Sequence, residues 1–333
     1  MSNIRDVARE AGVSVATVSR ALSNPEKVSQ ASLNKVHSAI DKVGYRPNML
    51  ARSFRSAKSY AVVVLVPDIT NPFFSQVIRS IEDRAQQKGY AVLLGDTRGV
   101  IEREKEYIRR VETRLADGVI QLRPDEPGKH TEVPDDIACV NACGCESTTG
   151  PRVRIDNRGA ARAVVDYLIS LGHRRIGVIT GLKDNPHTVD RLAGYKEGLA
   201  AAGIEFDPSL LAEGDFTMWS GLNSAKQFCA MDDIPTALLC LNDEMAIGAM
   251  QTLKLHGLRV PEDISVTGFD DISYARYCDP SLTTVNQPAE EIGKRAMDML
   301  LRLIEGEPLA QEESVLPAEF VIRKSTAVPR KKS

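Results

Sequence analysis

The sequence predicts an α-helical helix-turn-helix headpiece followed by a two-lobed α/β core of two doubly wound parallel sheets. Three observations carry this prediction. Between Ile4 and Gly44, short apolar stripes of helical period are punctuated by Gly12, Pro25 and Gly44. From Tyr60 the texture changes to near-continuous apolar runs that alternate with helical patterns. That alternation runs through one set of strands and helices and then restarts, which gives two lobes rather than one. With 333 residues, 43% hydrophobic and 26% charged, the chain has room for two or three domains with substantial cores.

In the headpiece, Ile4, Val7, Ala8 and Ala11 form one apolar stripe. Asn3 can cap this first helix, with Asp6 three residues on completing a short relative of the capping box. Gly12 suits the position just past its end. Ser14 then caps a second helix, which Pro25 stops near Asn24. Ser29 caps a third, with Leu33, Val36, Ile40 and Val43 as its stripe and Gly44 as its end.

The stretch "VSVATVSRALSNPEKVS" decides what this unit meets. At about 100° per residue, Thr17, Val18, Ala21 and Leu22 share one arc and are expected in the core. Val15, Ala16, Ser19 and Arg20 share the opposite arc. Small side chains let a helix sink into the DNA major groove, where Val15 and Ala16 meet thymine methyls and Arg20 pairs with guanine O6 and N7. Charge agrees: residues 1–58 carry ten Lys/Arg and four Asp/Glu, a net +6, whereas the remainder carries a net −9. Only the head is suited to a polyanion.

"RPNMLARSFRSAKS" follows from Arg46. Asn48 after Pro47 is a helix start, but the helix has only about two turns and is too short to stand alone in water. Ala51, Arg52 and Arg55 make it small and basic, so it would order against a partner that neutralises it. A flexible basic linker is the simpler alternative.

In the core, "YAVVVLVPD" reads as a strand buried on both faces, then a helix through Phe74, Val77, Ile78 and Ile81, then the strand "GYAVLLGD". "ADGVIQL" and "DIACVNA" continue the pattern. It restarts after "RIDNRGAARAVVDYLISLGH" with "RIGVITG", "IPTALLCLND" and "ISVTGFDD". The strand ends carry Asp68 to Phe74, Thr180-Gly181, Asn242-Asp243 and Asp270-Asp271. Ligands of open α/β sheets sit at such ends. Carboxylates, amides and aromatic faces together suit a polyhydroxylated ring. The helix "EEIGKRAMDMLLRLIEGE" has a Met297, Leu300, Leu301, Ile304 stripe expected in the core.

"IRDVAREAGVSVATVSRALSNPEKVS" and "GYRPNMLARSFRS" closely resemble the DNA-binding region of the lactose-repressor (LacI/GalR) family, and the resemblance continues to about residue 325. "VPDITNPFFSQVIRSIEDRAQQKGYAVLLGD" and "EGDFT…GFDDISYARYCDP" look most like its nucleoside-catabolism (cytidine-repressor) branch, with ribose or another pentose as a rival effector. The resemblance implies a headpiece at 1–46, a hinge helix at 47–58 and an effector-binding and dimerisation core at 59–333. The core would have a periplasmic-binding-protein-like fold. Its N-lobe would span about 59–156 and 288–317, its C-lobe about 157–287 and 318–327. It implies base readers at Val15, Ala16 and Arg20, with phosphate and sugar contacts at Ser14, Thr17 and Ser19. The hinge helices, including Ala51 and Arg55, would pair in the minor groove. Phe54 there holds the place of a leucine that wedges between central base pairs. For the effector it implies Asn71, Phe73 and Phe74 from one lobe and Arg191, Phe216, Asn242 and Asp270 from the other. Arg191 and Asp270 would bond ring hydroxyls, and Phe216 would stack. No C-terminal heptad segment of the lactose-repressor type follows Phe320, which implies a homodimer rather than a tetramer.

Other classes fit less of the chain. A sugar-transport binding protein matches the core alone and would carry a signal peptide, which Arg5, Asp6, Arg9 and Glu10 exclude at this N-terminus. A cytosolic sugar- or nucleoside-binding protein without DNA-directed regulation is the remaining alternative. An enzyme needs a catalytic constellation. No G-x-S-x-G elbow is present, and no G-x-G-x-x-G follows a strand, so no dinucleotide cofactor is expected. The cysteines Cys139, Cys143 and Cys145 match no usual zinc spacing, and with Cys229, Cys240 and Cys278 they are expected as free thiols. No cofactor or metal is expected, and the expected compartment is the cytoplasm. The sign of effector control is not readable, because inducer and corepressor need the same kind of cleft.

Overall fold

A computed structural model describes residues 2–23, 25–45, 58–123 and 133–330. The chain divides into two compact units, Met1–Ser59 and Tyr60–Ser333. Ala51, Phe54 and Arg55, expected in a hinge helix at 47–58, lie outside the described residues.

The first unit contains α1 (Ile4–Ala11), α2 (Val15–Ser23) and α3 (Gln30–Val43). The Asn3 side chain accepts from the Arg5 and Asp6 amides, while Asp6 accepts from the Asn3 amide at 3.0 Å, a reciprocal capping box. Gly12 (φ +64°) sends its N–H back to the Ala8 and Arg9 carbonyls, a left-handed closure that favours glycine. Ser29 caps α3 through the Ser32 amide. Val7, Ala8, Val18, Ala21, Leu33, Val36 and Ala39 form the core. Leu22 is a correction: helical period assigns it to the core face of α2, yet it is 36% exposed. The buried arc centres between Val18 and Ala21, so Thr17 and Leu22 both fall about 70° to either side. A three-helix unit this small covers only a narrow arc, which leaves Thr17 half-buried and Leu22 at the rim.

The second unit begins with a six-stranded, all-parallel sheet in the order β11-β5-β4-β3-β1-β2. Its strands are β1 (Ala61–Val66), β2 (Ala91–Asp96), β3 (Gly118–Gln121), β4 (Ala138–Asn141), β5 (Arg152–Ile155) and β11 (Glu313–Leu316). α4 (Pro72–Gln87) and α5 (Ile101–Glu112) belong to this lobe, and α10 (Ala289–Ile304) returns to pack against α4 and strands β3 to β5. Met297, Leu300 and Leu301 are buried there, with Ile304 packed beside them.

The second lobe holds a parallel sheet in the order β7-β6-β8-β9: β6 (Ile176–Thr180), β7 (Leu211–Glu213), β8 (Ala237–Cys240) and β9 (Ser265–Thr267). Its helices are α6 (Asn157–Ser170), α7 (Pro186–Ala201), α8 (Met218–Cys229) and α9 (Asp243–Leu255). β10 (Thr284–Asn286) and β12 (Glu319–Val321) form an antiparallel pair beside β9. The chain crosses between lobes after β5, between β10 and α10, and between β11 and β12. Parallel sheets in both lobes turn their carboxyl ends, and the N-termini of the following helices, toward one cleft. Among the described residues, no helix is long and apolar enough to cross a membrane.

Candidate DNA-reading face and effector cleft

On α2, Val15 is 41% exposed, and Ala16 and Arg20 are exposed with it. Val18 and Ala21 are buried on the opposite side. Ser14 caps the helix: its Oγ accepts from the Thr17 amide at 3.1 Å and lies 2.9 Å from Thr17 Oγ1. Ser19 and Thr17 flank the exposed face and are half-buried. The structure therefore presents two small side chains and one long forked donor on a helix whose capped N-terminus carries positive dipole charge.

In the core, a cavity of about 280 Å³ opens between the lobes. Asn71, Phe73, Phe74, Arg191, Phe216, Asn242 and Asp270 all line it, so the structure brings together all seven residues expected at the effector site. Several also build the walls. Asn71 caps α4 through the Phe73 amide (2.9 Å) and donates its Nδ2 across the cleft to Glu244 Oε2 (3.2 Å). Asn242 caps α9 through the Met245 amide and donates to the Phe216 carbonyl at 2.8 Å. Phe216 sits at φ +71°, and its ring lies over Gly181, where an added Cβ would fall 2.1 Å from the ring.

Arg191 is 4% exposed. It donates Nε to Asn157 Oδ1 (2.8 Å) and Nη1 to the Leu241 carbonyl (2.5 Å), and its guanidinium lies 3.7 Å from the centre of the Phe269 ring. Its Nη1 is 3.8 Å from Asp270 Oδ1, an ion pair beyond hydrogen-bond reach. Asp270 instead accepts from Gln287 Nε2 at 2.6 Å. Burial pulls Arg191 down to about 10, against the pull of Asp270 and Asp190, and it remains a cation at neutral pH. Burial pushes Asp270 up to about 6, opposed by Arg191 and the Gln287 amide.

Other residues in or beside the cleft are given no role in the sequence reading. His187 is pulled down to about 3 by burial and by Arg191, so it is neutral and suited to either hydrogen-bond role. Asn157 orients Arg191 and lies 3.4 Å from His187 Nδ1. Glu244 is pushed up to about 7 by burial, then by Asp270 and Asp68. Fully buried Asp243 accepts from the Ile272 amide (2.8 Å) and the Thr284 hydroxyl (2.5 Å), which fixes the loop that carries Asp270. Asp243 is noted with Asn242 at a strand end, and Asn157 follows one too, a signal that could have found it. Nothing marks His187 before the fold is known. Among the described residues no cluster of potential ligands could hold a metal ion, and all six cysteines are free thiols.

A three-helix head with a small exposed recognition face, joined to a two-lobed core around a polar cleft, defines a helix-turn-helix regulator with a ligand-binding core. Comparison with known proteins agrees. Residues 3–48 match the family described as bacterial regulatory proteins, lacI family, and residues 165–326 match a periplasmic binding protein-like domain. The chain is 41% identical over 330 residues to the HTH-type transcriptional repressor CytR of Escherichia coli (strain K12), covering 98% of this chain and 96% of that one. It is 36% identical over 308 residues to the HTH-type transcriptional repressor PurR of Vibrio atlanticus, covering 91% and 92%. Among solved structures, the lac repressor dimer bound to operator and an anti-inducer superposes with a TM-score of 0.88 at 29% identity, covering 98% of this chain and 99% of that one. The chain belongs to the lacI family of bacterial regulatory proteins, and the CytR and PurR relatives are transcriptional repressors rather than enzymes.

Proposed function

We propose that this protein is an effector-controlled transcriptional repressor that binds a pseudo-palindromic operator as a homodimer. The observation that carries the reading is the exposed Val15, Ala16 and Arg20 face of α2. Val15 and Ala16 contact thymine methyls, Arg20 reads one guanine per half-site, and Ser14, Thr17 and Ser19 hold phosphates and sugars. Two copies related by a two-fold axis present two such helices, so half-site spacing mirrors protein symmetry. Ala51, Phe54 and Arg55 serve the hinge, with Phe54 wedged into the central step.

The cleft takes a small polyhydroxylated effector, a nucleoside or a pentose. Arg191, Asp270 and Asn242 hold its hydroxyls, and Phe73, Phe74 and Phe216 supply apolar faces. Binding alters the lobe arrangement and, through the hinge, operator affinity. The lac repressor structure supports a dimer on DNA for that relative, and the CelR–cellobiose complex (TM-score 0.73, 30% identity) supports a small polyhydroxylated ligand for that one.

The test is mobility shift of operator-containing and scrambled DNA by the full-length chain and by Arg20→Ala. Wild type should prefer one sequence, and Arg20→Ala should relax that preference. No preference in wild type, with effector binding intact, would favour a sugar- or nucleoside-binding protein without DNA-directed regulation.

A further inference from the structure

One hydrogen bond joins the lobes across the rim of the cleft. Asn71 stands at the start of α4 in the first lobe, and Glu244 in the first turn of α9 in the second. Asn71 Nδ2 donates to Glu244 Oε2 at 3.2 Å. The amide is fixed at its other end, because Oδ1 accepts from the Phe73 amide at 2.9 Å and caps α4. Its direction is therefore set by the helix that carries it, and the bond across the cleft holds only while α4 and α9 stand close.

The charges around Glu244 act against its own. Asp270, on the loop after β9, belongs to the same lobe, whereas Asp68, on the loop after β1, faces it from the other; both favour a proton on Glu244. Its neighbour Asp243 turns inward to the Ile272 amide and the Thr284 hydroxyl. The arginines that line the cavity stand with other carboxylates: Arg123 with Glu104, Arg154 with Glu313, and Arg191 3.8 Å from Asp270. The positive end of α9 favours a charged carboxylate, yet burial and the two aspartates outweigh it and push Glu244 up to about 7.

The sign of the effect follows. Parting the lobes takes Asp68 away and lets water reach Glu244, so its carboxyl returns toward the ordinary 4.5. The joined arrangement thus holds a proton that the parted arrangement releases. Its advantage is complete below 4.5 and is lost as pH rises through about 7. A neutral or a charged carboxyl can accept from Asn71. The hydrogen bond therefore aligns the two helices, and the proton sets how strongly they hold.

Resting on the reading of this core as the part that controls operator binding, we propose that Asn71 and Glu244 form a proton-operated latch between the lobes, opposed by the charge of Asp68, so that operator affinity follows pH. The latch needs no ligand; effector and proton bias the same lobe equilibrium from different places. With values near 7 joined and 4.5 parted, the ratio of joined to parted molecules falls by up to about tenfold between about pH 6 and 8.

The experiment uses the full-length chain in two ways. Side-chain carboxyl NMR signals of glutamate-labelled protein are followed against pH without ligand, and the signal missing from Glu244→Gln identifies Glu244. It should titrate near 7 in wild type, and Asp68→Asn, a change in the opposite lobe, should lower that midpoint. Operator affinity of wild type and of Glu244→Gln, which is permanently neutral there, is then measured by mobility shift from about pH 6 to 8. Taking the ratio of the two removes the titration of the head. The ratio should be near one at about pH 6 and move severalfold, up to about tenfold, by about pH 8. A Glu244 midpoint near 4.5, a midpoint indifferent to Asp68→Asn, or a ratio that stays flat overturns the proposal. Failure of the repressor reading looks different: neither protein then prefers operator DNA at any pH, and the carboxyl titration alone decides the latch.

Discussion

Replacing Asp270 by asparagine should stabilise the unliganded protein while weakening effector binding. Burial raises the Asp270 carboxyl from 3.8 to about 6 even with Arg191 nearby. That rise already includes the attraction of Arg191, so it measures the net cost of holding the charge. At 1.36 kcal/mol per pH unit it corresponds to about 3 kcal/mol. Asparagine keeps the shape and the oxygen that accepts from Gln287, and it tolerates the φ of +113° at this position. Its added N–H donors reduce the benefit, leaving an expected gain of about 1–3 kcal/mol at pH 7.5. The sign follows from linkage. Wild type is fully stable below the unfolded value near 3.8 and loses stability as pH rises through about 6. The Asp270→Asn variant lacks that loss, so its advantage should be absent near pH 4, grow between 4 and 6, and then level off. Urea unfolding of the full chain across this range reads it directly. Effector affinity measured by calorimetry should fall about tenfold or more, because a charged acceptor is lost. A variant less stable than wild type at pH 7.5 would refute the reasoning, since the Arg191–Asp270 pair would then be a net contributor to the fold.

Other perturbations separate the remaining parts. Arg20→Ala should cost about 1–3 kcal/mol on operator DNA and relax preference at one base pair per half-site; an equal loss on random DNA, measured by mobility shift, would make Arg20 a phosphate contact. Gly181→Ala places a methyl 2.1 Å from the Phe216 ring and should displace it, weakening effector binding severalfold with little change in operator binding without effector; unchanged calorimetry would show that the ring takes no part. His173, 1% exposed between Thr236 Oγ1 and the Ala327 carbonyl (2.9 Å each), holds the C-terminal segment, and burial lowers its pKa below 6.5. His173→Gln should cost about 1–3 kcal/mol at pH 7.5, and the difference should shrink as pH falls through 6.5, because the unfolded wild type takes up the proton first; a gap that widens in acid, followed by urea midpoints, would contradict the neutral assignment. Phe54→Ala should lose operator-specific affinity yet keep weak, salt-sensitive DNA binding; equal losses on operators with flexible and stiff central steps, with wild type also indifferent to the step, would rule out the wedge.

Local chemistry was legible where it depends on nearest neighbours. Asn3 with Asp6, Gly12 and Ser29 bound the head helices because capping is settled within four residues. The cleft was legible because parallel strands deliver their polar ends to one place, so Asn71, Asn242 and Asp270 meet although they lie far apart in the chain, whereas Arg191 and Phe216 were placed there only by the family resemblance. What sequence could not give was pairing across elements. Arg123 and Glu104 stand 19 residues apart, one after a strand and one inside a helix, and only the packing of α5 on the sheet joins them. Leu22 failed for a related reason: helical period sets direction, but the width of the buried arc depends on how much partner surface three short helices supply.

The most direct measurement is operator affinity of the full-length protein at fixed salt, with and without saturating effector, on the operator and on a scrambled duplex. A repressor governed by its cleft should change operator affinity at least tenfold on effector binding, with scrambled DNA bound weakly and almost unaltered. Effector binding seen by calorimetry with operator affinity unmoved, or equal affinity for both duplexes, would contradict it.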